Sequence, residues 1–257
     1  MIQVDNVSFQ YGELPALQEI RLQFAAGEFT AIIGRNGSGK TTLVRCMAGF
    51  LRPRLGEIRI DGRDIRPLRP RRRVQIVGYV FQNPDHQIFR ETVDEEVLFG
   101  LHNIGIRGDE ARKRAGMILE RLELDLKRDR HPFRLARGDR QRLAIAAVAV
   151  LQPKVLIVDE PTTGQDPVRA REIMDILRDM NRQNGTTVIV VTHAMDLVAE
   201  YAGRIVAMQS GHVLSDGSTR DVFRSAPVAL PQIVKLGMKL GMDPLPLTVD
   251  EFVAGFK

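Results

Sequence analysis

An α/β protein built on a parallel sheet is what this 257-residue sequence predicts, and three features predict it. VLIVD and TVIVVT are short unbroken apolar runs, the pattern of strands covered on both faces. PVRAREIMDILRDMNRQ joins them with helical periodicity, as a crossover between parallel strands requires. FTAII, a further buried strand, runs straight into a glycine-rich turn and a second helical segment. A composition of 44% hydrophobic and 27% charged residues supports a folded core and excludes a disordered chain.

Taken in order, residues 2–60 alternate with period two through IQVDNVSF, IRLQF, FTAII and EIRI, separated by the turn signals YGELP, AAGE and RLGE. RPLRPRRR, residues 66–73, is the densest basic run; its prolines and lack of aromatics predict a surface loop more than a nucleic-acid patch. Residues 93–151 turn helical, through VDEEVLFGL, DEARKRAGMILERLEL and LARGDRQRLAIA, and Pro153 ends the run. After the two buried strands, a short strand pair and a helix are expected beyond Gly211. Pro227, Pro231, Pro244 and Pro246 then punctuate a tail whose LPQIVKLGMKLGM predicts an amphipathic helix, read as a packing appendage. No internal repeat is visible. No stretch approaches the roughly 18 apolar residues of a membrane span, and MIQVDNVSFQ reads as a strand, so neither a signal peptide nor an anchor is expected. Cys46, the one cysteine, forms no internal disulfide and no Cys/His cluster has metal-ligand spacing, which suits a reducing cytosol. The net charge of +5 points to anionic partners: nucleotide, nucleic acid or an anionic membrane surface.

The chemistry concentrates in two stretches. GRNGSGKTT satisfies G-x-x-x-x-G-K-[ST] between a strand and a helix, the context in which that motif grips phosphate. Gly34, Gly37 and Gly39 let successive amides turn inward, and Asn36, Ser38 and Thr42 complete the loop. Lys40 supplies a point charge for the β and γ phosphates, and the Thr41 hydroxyl is placed to ligate Mg²⁺. VLIVDEP then ends a buried strand in two acids: Asp159 suits the metal shell and Glu160 suits orienting a water. His193 ends the next strand on the same edge, within reach of a γ-phosphate.

Over nearly the whole chain these residues resemble the ATP-binding subunit of an ABC transporter. The resemblance implies a P-loop NTPase fold with an N-terminal antiparallel β-subdomain, a RecA-like parallel-sheet core, a helical signature subdomain at about 84–151 and a C-terminal extension at 227–257 following a cassette at 1–226. It also implies that ATP and Mg²⁺ are the cofactors. Tyr11 resembles the adenine-stacking aromatic, GRNGSGKTT the Walker A loop and VLIVDEP Walker B. Gln82 in YVFQNP resembles the Q-loop glutamine that senses Mg²⁺, Asp166 in TTGQD the D-loop aspartate and His193 the switch histidine. LARGDRQRLAIA falls where the family has its signature, which reaches across a dimer to a partner's γ-phosphate. Within the family, FQNPDHQIFRETVDEEVLFGLHNIGI and the tail through LPLTVDEF are similar to energy-coupling factor importers of vitamins or transition-metal ions. Those systems imply a second ATPase subunit, an integral membrane coupling protein received by the groove around Gln82, and a substrate-capture membrane protein. They place the chain at the cytoplasmic face of the membrane, without contact with the transported substrate. The tail is a candidate dimerisation segment.

The signature departs from the family pattern. Ala136 replaces Ser, Arg137 the first Gly and Asp139 the Gln, while Gly138 is retained. Arg137 then has two readings: an arginine finger for the partner's phosphate, or a solvent-facing side chain beside a slow composite site, the second favoured because Asp139 repels phosphate. Asp139 is expected to pair with Arg140 or Arg142. Because Walker A, Glu160 and His193 match their motifs, a heterodimer with a partner of regular signature is favoured over a homodimer. Another ABC transporter class is the nearest alternative function. A soluble ABC ATPase acting on nucleic acid is further off, since such proteins carry long coiled-coil insertions or two cassettes per chain.

Overall fold

Alternation along the N-terminal residues builds the first sheet of the computed structural model, which describes residues 1–255. β1 (Ile2–Tyr11) pairs antiparallel with β2 (Leu14–Phe24) and with β4 (Leu55–Ile60), and β5 (Arg63–Asp64) closes the order β2-β1-β4-β5. Its inward residues, among them Val4, Val7, Leu17, Phe24 and Ile58, pack on α1 (Lys40–Met47) and one face of the second sheet.

The second sheet has six strands in the order β10-β9-β3-β8-β7-β6: β3 (Phe29–Gly34), β6 (Val77–Val80), β7 (Val155–Asp159), β8 (Thr187–Val191), β9 (Arg204–Gln209) and β10 (His212–Ser218). All but β10 run parallel to their neighbours, as the unbroken apolar runs predict. Successive side chains serve opposite cores. Ile32, Ile157, Ile189 and Val206 face α1 and the antiparallel sheet. Ala31, Ile33, Val158, Val190 and Ala207 face α6 (Pro167–Asn184), α7 (Met195–Tyr201) and α8 (Thr219–Ser225). The strand pair expected beyond Gly211 straddles it instead: β9 precedes the Ser210–Gly211 turn, because its apolar run pairs with β3 in the sheet centre.

A third core gathers α3 (Val93–Ile104), α4 (Gly108–Arg121) and part of α5 (Arg137–Ala149). α5 has no polar stripe because it is buried on two sides: Leu143 and Ala146 enter the helical core, while Ala144, Ile145 and Ala149 enter the sheet core. RPLRPRRR is only partly loop, since α2 (Pro70–Arg73) forms, with Pro70 at its first position. Arg71 donates to the Ile104 carbonyl and Arg73 to the Gly49 carbonyl at 3.1 Å, which fixes the run against two helix ends. In the tail, α9 (Gln232–Lys239) and α10 (Val249–Ala254) form, and Val234 and Leu245 are buried in the core beside α8. Among the described residues no helix is long and apolar enough to cross a membrane.

Candidate functional site

β3 and β7 end side by side with β8 between them, so Walker A and the two acids meet at the carboxyl edge of the parallel sheet, where α/β proteins bind ligands. A cavity of about 480 Å³ opens there, lined by Tyr11, Leu14–Ala16 of β2, residues 36–42, Gln82 and Glu160. Its floor is the start of α1, which begins at Gly39 with φ of +100° and has neither a side-chain cap nor an acid in its first turn. The first amides of α1 are thus left for an anion. Gly39 is obligatory twice over: its conformation is left-handed, and a methyl group there would sit 2.5 Å from the Ala16 carbonyl oxygen. The turn after β9 braces the loop, with the Gly211 amide donating to the Ser38 carbonyl at 3.1 Å.

Lys40 is buried and its ammonium donates to the Gly34 and Arg35 carbonyls at 2.8 and 3.0 Å. Burial pulls its pKa below the ordinary lysine value, opposed by the negative charges of Glu160 and Asp159. Asp159 accepts from the Thr41 hydroxyl on Oδ1 at 3.3 Å and from the Tyr79 hydroxyl on Oδ2 at 2.9 Å. Burial pushes its carboxyl above the usual range, and the two hydroxyl bonds work against that rise. A hydroxyl and a carboxylate converging beside a lysine, with the Gln82 carboxamide on the same cavity, are hard oxygen donors of the kind magnesium takes alongside phosphate.

Glu160 sits just past β7 with φ of +50°, an uncommon conformation for a non-glycine residue. Its amide donates to the Val191 carbonyl at 2.8 Å, which anchors the strained turn to the end of β8. His193 Nδ1 lies 2.9 Å from Glu160 Oε2, and the Thr163 hydroxyl donates to the same oxygen at 3.2 Å. Oε1 has no partner among the described residues. His193 therefore reaches the acid directly, but its ring lines the neighbouring cavity with Gly34 and Arg35. Tyr11 is half exposed, held edge-on by Phe9 at a 4.9 Å centroid separation, beside the apolar surface of Leu14 and Pro15.

Ala136, Arg137, Gly138 and Asp166 do not line this cavity. Asp166 caps α6, accepting from the Val168 and Arg169 amides at 3.0 Å. Arg137 is exposed, and its guanidinium lies across the D-loop of its own chain: a methyl on Gly164 would meet Arg137 Nη1 at 2.8 Å. Asp139 pairs with neither Arg140 nor Arg142. Lys127 reaches it at 2.6 Å, while Arg140 pairs with Asp85 at 2.8 Å and Arg142 with Glu123 and Glu172, because the side chains of α5 fan out toward different elements.

Several contributors went unnoticed in the sequence. Tyr79 is the clearest, and its signal is a phenol inside the buried run IVGYVF. Gln87 bridges the Q-loop and α5, accepting from the Phe81 amide at 3.3 Å and donating to the Ala144 carbonyl at 2.7 Å. Cys46 is buried, with its thiol pushed up to about 12 by burial, so it is unreactive near neutral pH.

Comparison with known proteins decides what this geometry belongs to. Residues 17–163 match the profile of the family described as ABC transporter. The chain belongs to the ABC transporter family. It is an ATP-binding cassette of a family of ATPases. An energy-coupling factor transporter ATP-binding protein of Symbiobacterium thermophilum is 41% identical, covering 94% of this chain and 88% of its own length. A Methanosarcina acetivorans protein named as an ABC transporter ATP-binding protein is 45% identical over 94% of this chain. The chain spans about two fifths of that relative's length. Among solved structures, cbiO1 from Clostridium perfringens, part of the ABC transporter complex cbiONQ, superposes with a TM-score of 0.81 and 36% identity over 93% of this chain and 95% of its own. The dimeric post-hydrolysis cassette MJ0796, bound to ADP and Pi, gives 0.78 and 31% over 86% of this chain and 99% of its own.

Proposed function

We propose that this chain hydrolyses ATP as one of two ATPase subunits of an energy-coupling factor type importer of a vitamin or transition-metal ion, at the cytoplasmic face of the membrane. The observation that carries this reading is that its likeness to cbiO1 and to the Symbiobacterium protein covers 93% and 94% of the chain, more than the cassette alone.

In this reading ATP lies with its base on Tyr11 and its phosphates on the amides of residues 37–42, with Lys40 shared between the β and γ groups. Thr41, Asp159 and Gln82 would hold magnesium, which would supply charge neutralisation at the phosphate oxygens. Glu160 uses its free Oε1 to orient the attacking water, while His193 and Thr163 hold Oε2. A second chain supplies the signature to this cavity, and this chain's Ala136, Arg137 and Gly138 serve the partner's. Cleavage opens the clamp, and the Q-loop passes the motion to the membrane partner.

The membrane contact falls downstream of Gln82, which itself faces the phosphate cavity. A groove of about 450 Å³ is lined by Phe89, Arg90, Glu95, Leu98, Phe99 and His102. Phe89 is exposed, and Arg90 stacks 4.3 Å from the Phe99 ring, so one wall is aromatic and the rim is charged. Detergent extraction of membranes from cells making this chain should bring down an integral membrane coupling protein and a small substrate-capture membrane protein. Phe89→Glu should release both while leaving ATP affinity intact. Recovery of the wild-type chain only in a membrane-free assembly would rule the importer out.

Arg137 resting against Gly164 of its own chain favours a composite site that binds ATP and cleaves it slowly, hence a heterodimer with a paralogue of regular signature, although Lys127 offsets the repulsion from Asp139. Arg137→Ala should leave the turnover of the assembled dimer within about twofold. A loss approaching the roughly 10³-fold or more that a working arginine finger contributes would show instead that Arg137 swings onto the partner's phosphate. In this reading the tail is the second dimer contact, which the exposure of Leu236, Leu240, Val249 and Val253 supports.

A further inference from the structure

Inside β6, a strand otherwise built of Val77, Gly78 and Val80, sits one phenol. Tyr79 is 6% exposed, and its hydroxyl meets no water-facing group: it donates to Asp159 Oδ2 at 2.9 Å. Arg45, one helical turn beyond Thr41 on α1, is close enough for its positive charge to act on the same phenol. Phe50 and Phe81 hold the ring edge-on, with centroids 5.2 and 4.9 Å away. A phenylalanine would fill this place equally well by volume. The hydroxyl is the part that needs explaining, because a buried phenol without a partner costs about 1–3 kcal/mol.

We propose that Tyr79 is a positioning residue for the magnesium ligand: it holds Oδ2 of Asp159 so that Oδ1 stays on the side of Thr41 and the phosphate loop. This deepens the ATPase reading and rests on it. The terminal torsion of an aspartate is broad and does not choose an orientation by itself. At Asp159 the choice is made by two hydroxyls on opposite oxygens, Thr41 on one and Tyr79 on the other, 2.9 Å being the shorter contact. When the Thr41 hydroxyl turns to a metal, Tyr79 is the contact that remains. Carboxylates that ligate metals are themselves held by outer hydrogen bonds, and loss of such a bond lowers metal affinity or activity by roughly 10–100-fold. The arrangement also places the brace on the strand that runs directly into Phe81 and Gln82, so the segment that addresses the membrane partner and the donor that sets Asp159 are one piece of backbone.

The test separates metal-assisted from metal-free nucleotide binding. The full chain, wild type and Tyr79→Phe, is titrated calorimetrically with the β,γ-imido analogue of ATP, once with magnesium and once with a chelator. The expected result is metal-free affinity within about twofold of wild type, with the gain conferred by magnesium reduced about tenfold, and a broadened spectrum of bound manganese by electron paramagnetic resonance. An unchanged magnesium gain in Tyr79→Phe overturns the proposal and makes the phenol a core filler. Failure of the wild-type chain to bind the analogue under both conditions would instead remove the ATPase reading beneath it.

Discussion

Glu160→Gln should lower the turnover of the assembled dimer by about 10²–10³-fold while leaving ATP affinity within a few-fold of wild type, the loss expected when a positioned general base is removed. The amide keeps the size of the carboxylate and can still meet His193 or Thr163, so the strained turn anchored on Val191 should persist. What it loses is the charge on Oε1, the oxygen that has no partner among the described residues. In the proposed cycle, binding closes the clamp and cleavage opens it, so the variant should accumulate as an ATP-bound dimer on gel filtration, where the wild type passes back to monomer. Hydrolysis at the wild-type rate in that variant would show that a different group activates the water.

The largest loss of stability should come from Arg142→Ala. The Arg142 side chain is 3% exposed and joins three elements: α5 carries it, Glu123 beyond α4 accepts from it at 2.7 Å, and Glu172 of α6 accepts from its other nitrogen. Glu172 also receives Arg169 at 3.1 Å, so α6 is tied through this one guanidinium to α5. Truncation removes the bridge and leaves a cavity beneath it. Glu123 is 74% exposed and returns to water cheaply, so the cost falls below that of a fully buried pair, at about 2–4 kcal/mol. For a chain of this length that corresponds to a melting midpoint lower by about 5–10 °C. Arg142→Lys keeps one of the two ion pairs and should recover part of the loss. A midpoint for Arg142→Ala within 1–2 °C of wild type, by about the scale of a surface substitution, would remove the bridge from the account.

How far the residues alone disclose this protein varies with the distance over which each feature acts. Walker A was legible because strand, turn and helix are contiguous, and glycine spacing reports the backbone directly. The buried strands β7 and β8 were legible because both faces are covered and the apolar run has no gap. Asp139 was placed with the wrong cation because nearness in sequence favoured Arg140 and Arg142, whereas the helix sends each side chain along its own direction. The strand pair near Gly211 was shifted because β9 takes its partner, β3, from 170 residues and more away in the chain.

By itself, then, the sequence determined the class of fold, the glycine-rich loop between β3 and α1 and the two acids at the end of β7, since each is written in neighbouring residues whose geometry is local. Tertiary structure alone decided which oxygen of Asp159 meets Thr41 and which meets Tyr79, that both contacts of Glu160 fall on Oε2, and that Arg137 lies on Gly164. Those choices depend on side chains brought together from separate elements, and no local pattern encodes the direction from which a distant partner arrives.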